Sequence, residues 1–500
     1  MIRRVSPSLR ALRMKSLPAC VAALDAIHAV EAVRPDAESP TGASTWRRDE
    51  RFSLSEAIDA WYPLRTVSPV PDIRRQNTER GREVGNPQWL QSVINCNDFG
   101  PGSLREAIAN AASGDTIDLT NLPCSEITLF TGEMNVIVDD LALMGPGAGQ
   151  LTISGGETAA YYNRIFDHTG VGTLSIAGLT LTDAHHRGTE AHGGCIYSQG
   201  SVTLANAVVT GCTAESPPGT NSYAVAGAIY VRENAMLISS TISNNLAYSA
   251  ERGAYAGGLL VRGKLTSKYT TIANNQAIAP LSYSAGGGLV VFGADDVAIR
   301  GSTISGNAAD FSGGFLIGTT GASALVNSTL SYNYASIYVG GATFTAGTAT
   351  VANSTVTRNS AYVATLGIGI YADQSLVIQS SILADNADRA SGAMLDVSAP
   401  AISGSDNLIT AATGTVPTGT IIACPRLTAL EDHGGTTLTH ALIAGSPPID
   451  AGNNDLVLNT DQRGGAFPRV FGARADIGAI EWQGELGDSI FRSAFENRCD

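Results

Sequence analysis

Apolar positions in this chain recur in files of long period, not along a helical face. One file holds Val209, Ile242, Ile272, Ile304, Leu330, Val356 and Leu383; five residues earlier a second holds Leu204, Leu237, Ser267, Ile299, Leu325, Val351 and Ile378. A continuous strand sends alternate residues to opposite faces, so two inward positions an odd number apart require a bend between them. Three residues before the first file stand Asn206, Ser239, Tyr269, Gly301, Asn327, Asn353 and Ser380, mostly types that tolerate a left-handed backbone or fold a side chain onto it. Tyr269 is the misfit at the corner, and Ser267 the misfit in the core.

These corners are spaced 33, 30, 32, 26, 26 and 27 residues apart. A second phrase precedes each copy: Gly194-Cys-Ile-Tyr, Gly227-Ala-Ile-Tyr, Gly258-Leu-Leu-Val, Gly288-Leu-Val-Val, Gly314-Phe-Leu-Ile, Gly341-Ala-Thr-Phe and Gly367-Ile-Gly-Ile. Each repeat therefore carries at least three short β segments, with Asn or Cys closing the third. A propeller blade takes ~40 residues or more, so the period indicates a stacked coil. The expected fold is an all-β parallel β-helix solenoid of roughly 11 rungs, ~50 Å long at ~4.8 Å per rung.

Around this body the chain changes character. Residues 1–92 mix Arg, Pro and acids without periodicity and read as a poorly ordered leader; an export signal's basic start is present, but Leu17 to Leu24 is a short apolar run broken by Pro18. Ser103-Leu-Arg-Glu106 is a capping box that predicts a short N-terminal capping helix near 103–113, closing the end of the stack, with a strand at Thr116 to Leu119 after it. The solenoid is expected over 93–425, a closing region over 426–482 and a terminal tail over 483–500. No segment is long and apolar enough to span a membrane.

Gly100-Pro-Gly-Ser-Leu-Arg-Glu-Ala-Ile108 with Gly114-Asp-Thr-Ile-Asp118 resembles the N-terminal cap of bacterial surface proteins with right-handed parallel β-helix repeats, a pectin-lyase-like fold. The segments Gly445-Ser-Pro-Pro-Ile-Asp-Ala-Gly452, Asp461-Gln-Arg-Gly464, Arg469 and Asp476 to Glu481 resemble the choice-of-anchor Q domain at the C-terminal end of such proteins. Asp488 to Glu496 is similar to terminal tags of exported Gram-negative proteins. The resemblance implies a right-handed coil and an extracellular or outer-surface location.

Composition narrows the function. Many Gly and few charged residues (55 and 15%) suit tight corners and small side chains. Residues 93–500 hold 17 Lys and Arg against 34 Asp and Glu, a net of −17, which repels phosphate backbones and excludes nucleic acid as a partner. Cys96 with Cys124 is a candidate disulfide in an exported protein, and Cys195 with Cys212 a second; Cys424, Cys499 and Cys20 remain.

Catalytic equipment is sparse. The acidic doublets Asp139-Asp140 and Asp295-Asp296 have no matching carboxylate one rung away, as inverting hydrolysis would need. Arg232, Glu233, Arg262, Lys264 and Lys268 are scattered over two rungs without an acid cluster. In a strand His185 and His186 face opposite ways, so at most one can join Asp183 or His192. The tail acids Asp450, Asp461 and Asp476 are candidate calcium ligands; salt bridges to Arg463, Arg469 and Arg474 are the preferred reading. Seven tyrosines, Tyr223, Tyr248, Tyr255, Tyr283, Tyr334, Tyr338 and Tyr362, fall between the Asn or Cys corner and the next Gly, where one edge would present them to sugar rings or a surface protein. The expectation is a monomeric, exported, non-catalytic adhesion or glycan-binding scaffold without a cofactor. A polysaccharide lyase or glycoside hydrolase is the alternative.

Overall fold

Among the described residues three long parallel sheets of 12, 11 and 11 strands run side by side, and each regular rung contributes one strand to each. The computed structural model describes residues 90–156, 162–362 and 366–484, all within one unit of the chain, Asp49–Asp500. The leader to residue 89 and the tail from residue 485, with Cys20 and Cys499, lie outside the described residues. A representative rung passes from Ile229–Val231 in sheet 3 to Ala235–Ile238 in sheet 1 and Thr241–Ser243 in sheet 2. Leu204, Leu237, Ser267, Ile299, Leu325, Val351 and Ile378 stack in register through sheet 1. Val209 to Leu383 do the same through sheet 2. No member of either file is more than 1% exposed.

The bend between the files is where the odd spacing puts it. All seven corner residues have φ between 45° and 58°, Tyr269 included. The bulky misfit is accommodated by its neighbours: a Cβ on Gly301 would come within 2.6 Å of the Tyr269 ring, so the glycine clears room for it. A second left-handed file, Gly211, Asn244, Asn274, Gly306, Tyr332, Arg358 and Asp385, turns the chain out of sheet 2.

Directly after that corner runs a buried amide ladder. Asn245 donates through Nδ2 to Asn275 Oδ1 at 2.8 Å, and the relay continues through Asn307, Asn333, Asn359 and Asn386 at 2.8–3.0 Å. Gly258, Gly288, Gly314 and Gly369 face it, because a Cβ there would stand 2.8–3.1 Å from the adjacent amide. At the first regular rung a disulfide, Cys195–Cys212, takes the place of that pair. The register corrects the glycine phrase: Ile196, Ile229, Leu259 and Leu289 pair in succession from rung to rung, so Gly194 and Gly227 belong one position ahead of Gly258 and Gly288.

The ladder ends on Asp396, which accepts from Asn386 N and Nδ2 on one oxygen and from Thr410 Oγ1 and Ala411 N on the other. Burial pushes its carboxyl up to about 6, against the opposing pull of those hydrogen bonds. A folded-state value above the unfolded one gives a contribution complete below the unfolded value of 3.8 and lost as pH rises through about 6, about 1.4 kcal/mol per unit of separation. Denaturation midpoints between pH 4 and 7 should therefore fall more steeply for the native chain than for Asp396→Asn; equal slopes would show that Asp396 does not titrate there.

Three features depart from the expected outline. The strand Leu90–Ser92 pairs with Thr116–Asp118, so the first sheet takes in residues expected in the leader. The cap helix α1 is Leu104–Ala109, shorter than 103–113, because Asn110 already caps it; the strand after it is Asp115–Asp118. Ser103 accepts from Glu106 N as the capping box requires, but Glu106 reaches back to Gly102 N, not to Ser103.

The larger addition is a flap. After the ladder the chain leaves the coil in short strands such as Leu246–Ser249 and Gln276–Ile278 and returns in others such as Ala254–Tyr255, giving further sheets of 8 and 4 strands. The two layers meet through small residues only, Ala191, Ala214, Ala224, Ala247, Ala254, Ala277, Ala279 and Ala309.

Residues 427–482 form a strap along the outer face of sheet 2. Leu438 O accepts from Thr303, Gln462 Oε1 from Thr329, Ala479 N donates to Thr355, and His440 meets Ser331. Outward hydroxyls of the coil are thereby satisfied by strap groups.

Candidate functional site

The seven tyrosines do not share one edge. Tyr248 and Tyr334 lie in strands of the outgoing flap layer, whereas Tyr255 belongs to the returning layer, with Tyr223 and Tyr283 just ahead of that layer's strands. Tyr255 and Tyr338 are buried, at 3% and 8% exposure, and so are not ligand contacts. The reason is aromatic packing: Tyr223 meets Tyr255 at 5.9 Å, and Tyr283, Phe311 and Tyr338 follow at 5.3 and 4.8 Å. Tyr223 is further held by Arg252, which donates to its hydroxyl and lies over its ring. Tyr362 is exposed, and Tyr248, Tyr283 and Tyr334 are half-exposed.

Two of these form part of a recess. A groove of about 410 Å³ is lined by Gln276, Ile278, Tyr283, Asp310, Tyr334 and Ser336, with Ala308 and Pro280 among its other walls. It exists because Ala308 is a small residue between Gln276 and Tyr334 in adjacent strands. Asp310 accepts from Ser284 N and Oγ on one oxygen and from Ser336 Oγ on the other. The lining holds no Lys, Arg or His. Chemically it offers aromatic and aliphatic walls with hydroxyls and one carboxylate.

The other candidates resolve into different roles. Asp139 and Asp140 accept from Val171 N and Thr173 N of the next rung, and Asp296 from Ala322 N, which makes them turn acids. His185 bonds Glu215 at 2.8 Å, whereas His186 lies 3.4 Å from Arg164, so the adjacent pair diverges; Asp183 is a left-handed corner. The metal candidates are engaged by nitrogen donors: Asp461 pairs with Arg463, Asp476 accepts from Asp450 N and Trp482 N, and Asp450 accepts from Ala473 N and Arg474 N. Cys96 and Cys124 are disulfide-bonded, with Cα atoms 6.4 Å apart.

Sequence reasoning missed one cluster. Arg164 ion-pairs with Glu133 at 3.1 Å, donates to His192 O and sits over the Tyr197 ring, which stacks on Tyr230 at 5.3 Å. Burial, with Arg164 adding to it, pushes His192 down to about 4 and His186 to about 3; burial raises Tyr197, partly offset by Arg232. Its members come from several rungs, 133, 164, 192, 197 and 232, and only the coil's register brings them together.

The chain matches the family model described as "Right handed beta helix region" over residues 195–364 and again over 262–420. No curated protein matches it. A solved structure, pectate lyase Pel9A, is similar at 14% identity and a TM-score of 0.43, over 79% of this chain and 97% of that one. By its sheets and by the matched stretch, the chain is a right-handed parallel β-helix.

Proposed function

We propose that this chain is an exported or cell-surface scaffold that binds glycans in the flap groove without cleaving them. The observation that carries this reading is the recess between Tyr283 and Tyr334, where aromatic walls meet hydroxyls and a carboxylate, a surface suited to sugar rings. Inverting hydrolysis takes two carboxylates and elimination takes a base for the α proton; the groove lining has only Asp310, already held by three donors. The disulfides Cys96–Cys124 and Cys195–Cys212 support an oxidising compartment. The likeness of residues 426–482 to a choice-of-anchor Q region supports surface display on a bacterium, with the protein acting as a monomer. On a glycan array, Tyr283→Ala and Tyr334→Ala should each weaken binding about tenfold, roughly 1.4 kcal/mol. Binding indifferent to both changes would end the reading.

One observation favours cleavage as a second reading. The Arg164 cluster brings a cation, neutral imidazoles and a Tyr197 phenol bonded to Arg232 onto one surface, the kinds of group that polysaccharide elimination uses. Incubation with acidic polysaccharides followed by ultraviolet detection of unsaturated ends tests it, with Tyr197→Phe as control.

A further inference from the structure

We infer that the groove takes a short uncharged glycan segment, about two sugar rings by its volume, and rejects polyuronates. This rests on the reading of the groove as a glycan site and adds the chemistry of the ligand. Shape is the first argument. Tyr334 has Ala308 beside it on one side and Ser360 on the other. From the Ser360 side Arg389 lies over the ring at 4.4 Å and donates to Ser360 Oγ, so the face left for a ligand is the one above Ala308. Ile278, 37% exposed, and Tyr283 supply the opposite wall, where a flat, weakly polar ring face can rest.

Charge is the second argument. Asp310 is stabilised by an amide and two hydroxyls, and the cation that lies over Tyr334, Arg389, is committed to the far side of that ring. A ligand carboxylate in the groove would meet Asp310 with no cation in the lining, a like-charge repulsion that strengthens as the ligand displaces water. The net charge of −17 over residues 93–500 adds a long-range penalty for any polyanion. Hydroxyl-rich neutral sugars carry no such cost and can bond Gln276, Ser282 and Ser336 at the rim.

Titration calorimetry on the full chain with cello-, xylo- and N-acetylchito-oligosaccharides, and with oligogalacturonates of equal length, decides the matter. At least one neutral series should bind, and Ala308→Ile, which fills the recess at a half-exposed strand position, should weaken it tenfold or more, as should Tyr334→Ala. Oligogalacturonates should bind at least tenfold more weakly, with Asp310→Asn narrowing that gap. Oligogalacturonate binding equal to the neutral series and lost in Ala308→Ile would overturn the inference while leaving the glycan site standing. Neutral binding untouched by both groove changes would place it elsewhere, and no binding of any series would remove the glycan reading itself.

Discussion

Glu481→Ala should release the strap from sheet 2 at a cost of about 3–5 kcal/mol, the size expected when one partner of a buried ion pair is removed. Glu481 and Arg469 are both fully buried and meet at 2.8 Å. Arg469 also donates to Asn327 Oδ1 and to the carbonyls of Gly478 and Asp476, so it fastens the strap to the coil as well as to itself. Burial raises the Glu481 carboxyl to about 7, with the guanidinium pulling it back, so desolvation opposes this pair. Without Glu481 the guanidinium would stay in a dry interior with its directly paired counter-charge gone and only the weaker pull of Asp461 and Asp476 left. Two atoms, Arg469 Nε and Glu481 Oε2, already lack partners there, so the site has little reserve. Limited proteolysis reads the result: cleavage within 427–482 should accelerate while the β-rich circular dichroism of the coil persists. The double change Arg469→Met with Glu481→Leu should cost far less than the two single changes added. Additive costs, or a Glu481→Ala strap as protease-resistant as the native one, would mean that the apolar contacts of Ile382, Leu427, Leu442 and Ile477 hold it alone.

The parts of this fold that were legible in the sequence are those fixed by backbone geometry within one rung. Two inward files five residues apart demanded a bend, and the corner types between them named its position, even at Tyr269, where propensity argued against it. The flap was not read, although its signal is present: Ala214, Ala247, Ala277, Ala309, Ala335 and Ala361 each stand two residues after the ladder position. Alanine is uninformative as a hydrophobe, and only the meeting of two layers shows why nothing larger fits. The tyrosines were legible as a concentration but not as a surface, since rings a rung apart stack on one another as readily as they face solvent. The Arg164 cluster was invisible for a different reason, being assembled across about a hundred residues by register alone. Of the strap's acids, Asp461 and Glu481 take arginine partners, as their type suggests, whereas Asp450 and Asp476 bond backbone amides and Arg474 turns to Asp406 of the coil, none of which residue type can foretell.

Asn333→Ala in the middle of the amide ladder is expected to cost about 3 kcal/mol or more, because it orphans several buried groups at once. Asn333 Oδ1 accepts from Asn307 N at 3.1 Å and Nδ2 at 2.9 Å, and its own Nδ2 donates to Asn359 Oδ1 and Ile304 O, both at 2.9 Å. Each lost partner leaves a dry polar group worth about 1–3 kcal/mol, and the coil, whose rungs touch only their neighbours, would lose coupling across that rung. Asn333→Asp is the sharper probe. It keeps the acceptor but turns the donor into a second oxygen facing the Asn359 and Ile304 oxygens, so at neutral pH it should cost more than alanine and recover on acidification. The natural aspartate at the ladder's end meets no facing oxygens, since all four of its hydrogen bonds come from donors, Asn386 twice, Thr410 and Ala411, and only burial works against its charge. The amides thus point one way along the stack and require a pure acceptor where they stop. Urea midpoints of the two Asn333 variants at pH 5 and pH 8 test that polarity: alanine should shift equally at both, and aspartate chiefly at the higher. A pH-independent aspartate variant no weaker than alanine would show that the file carries no direction.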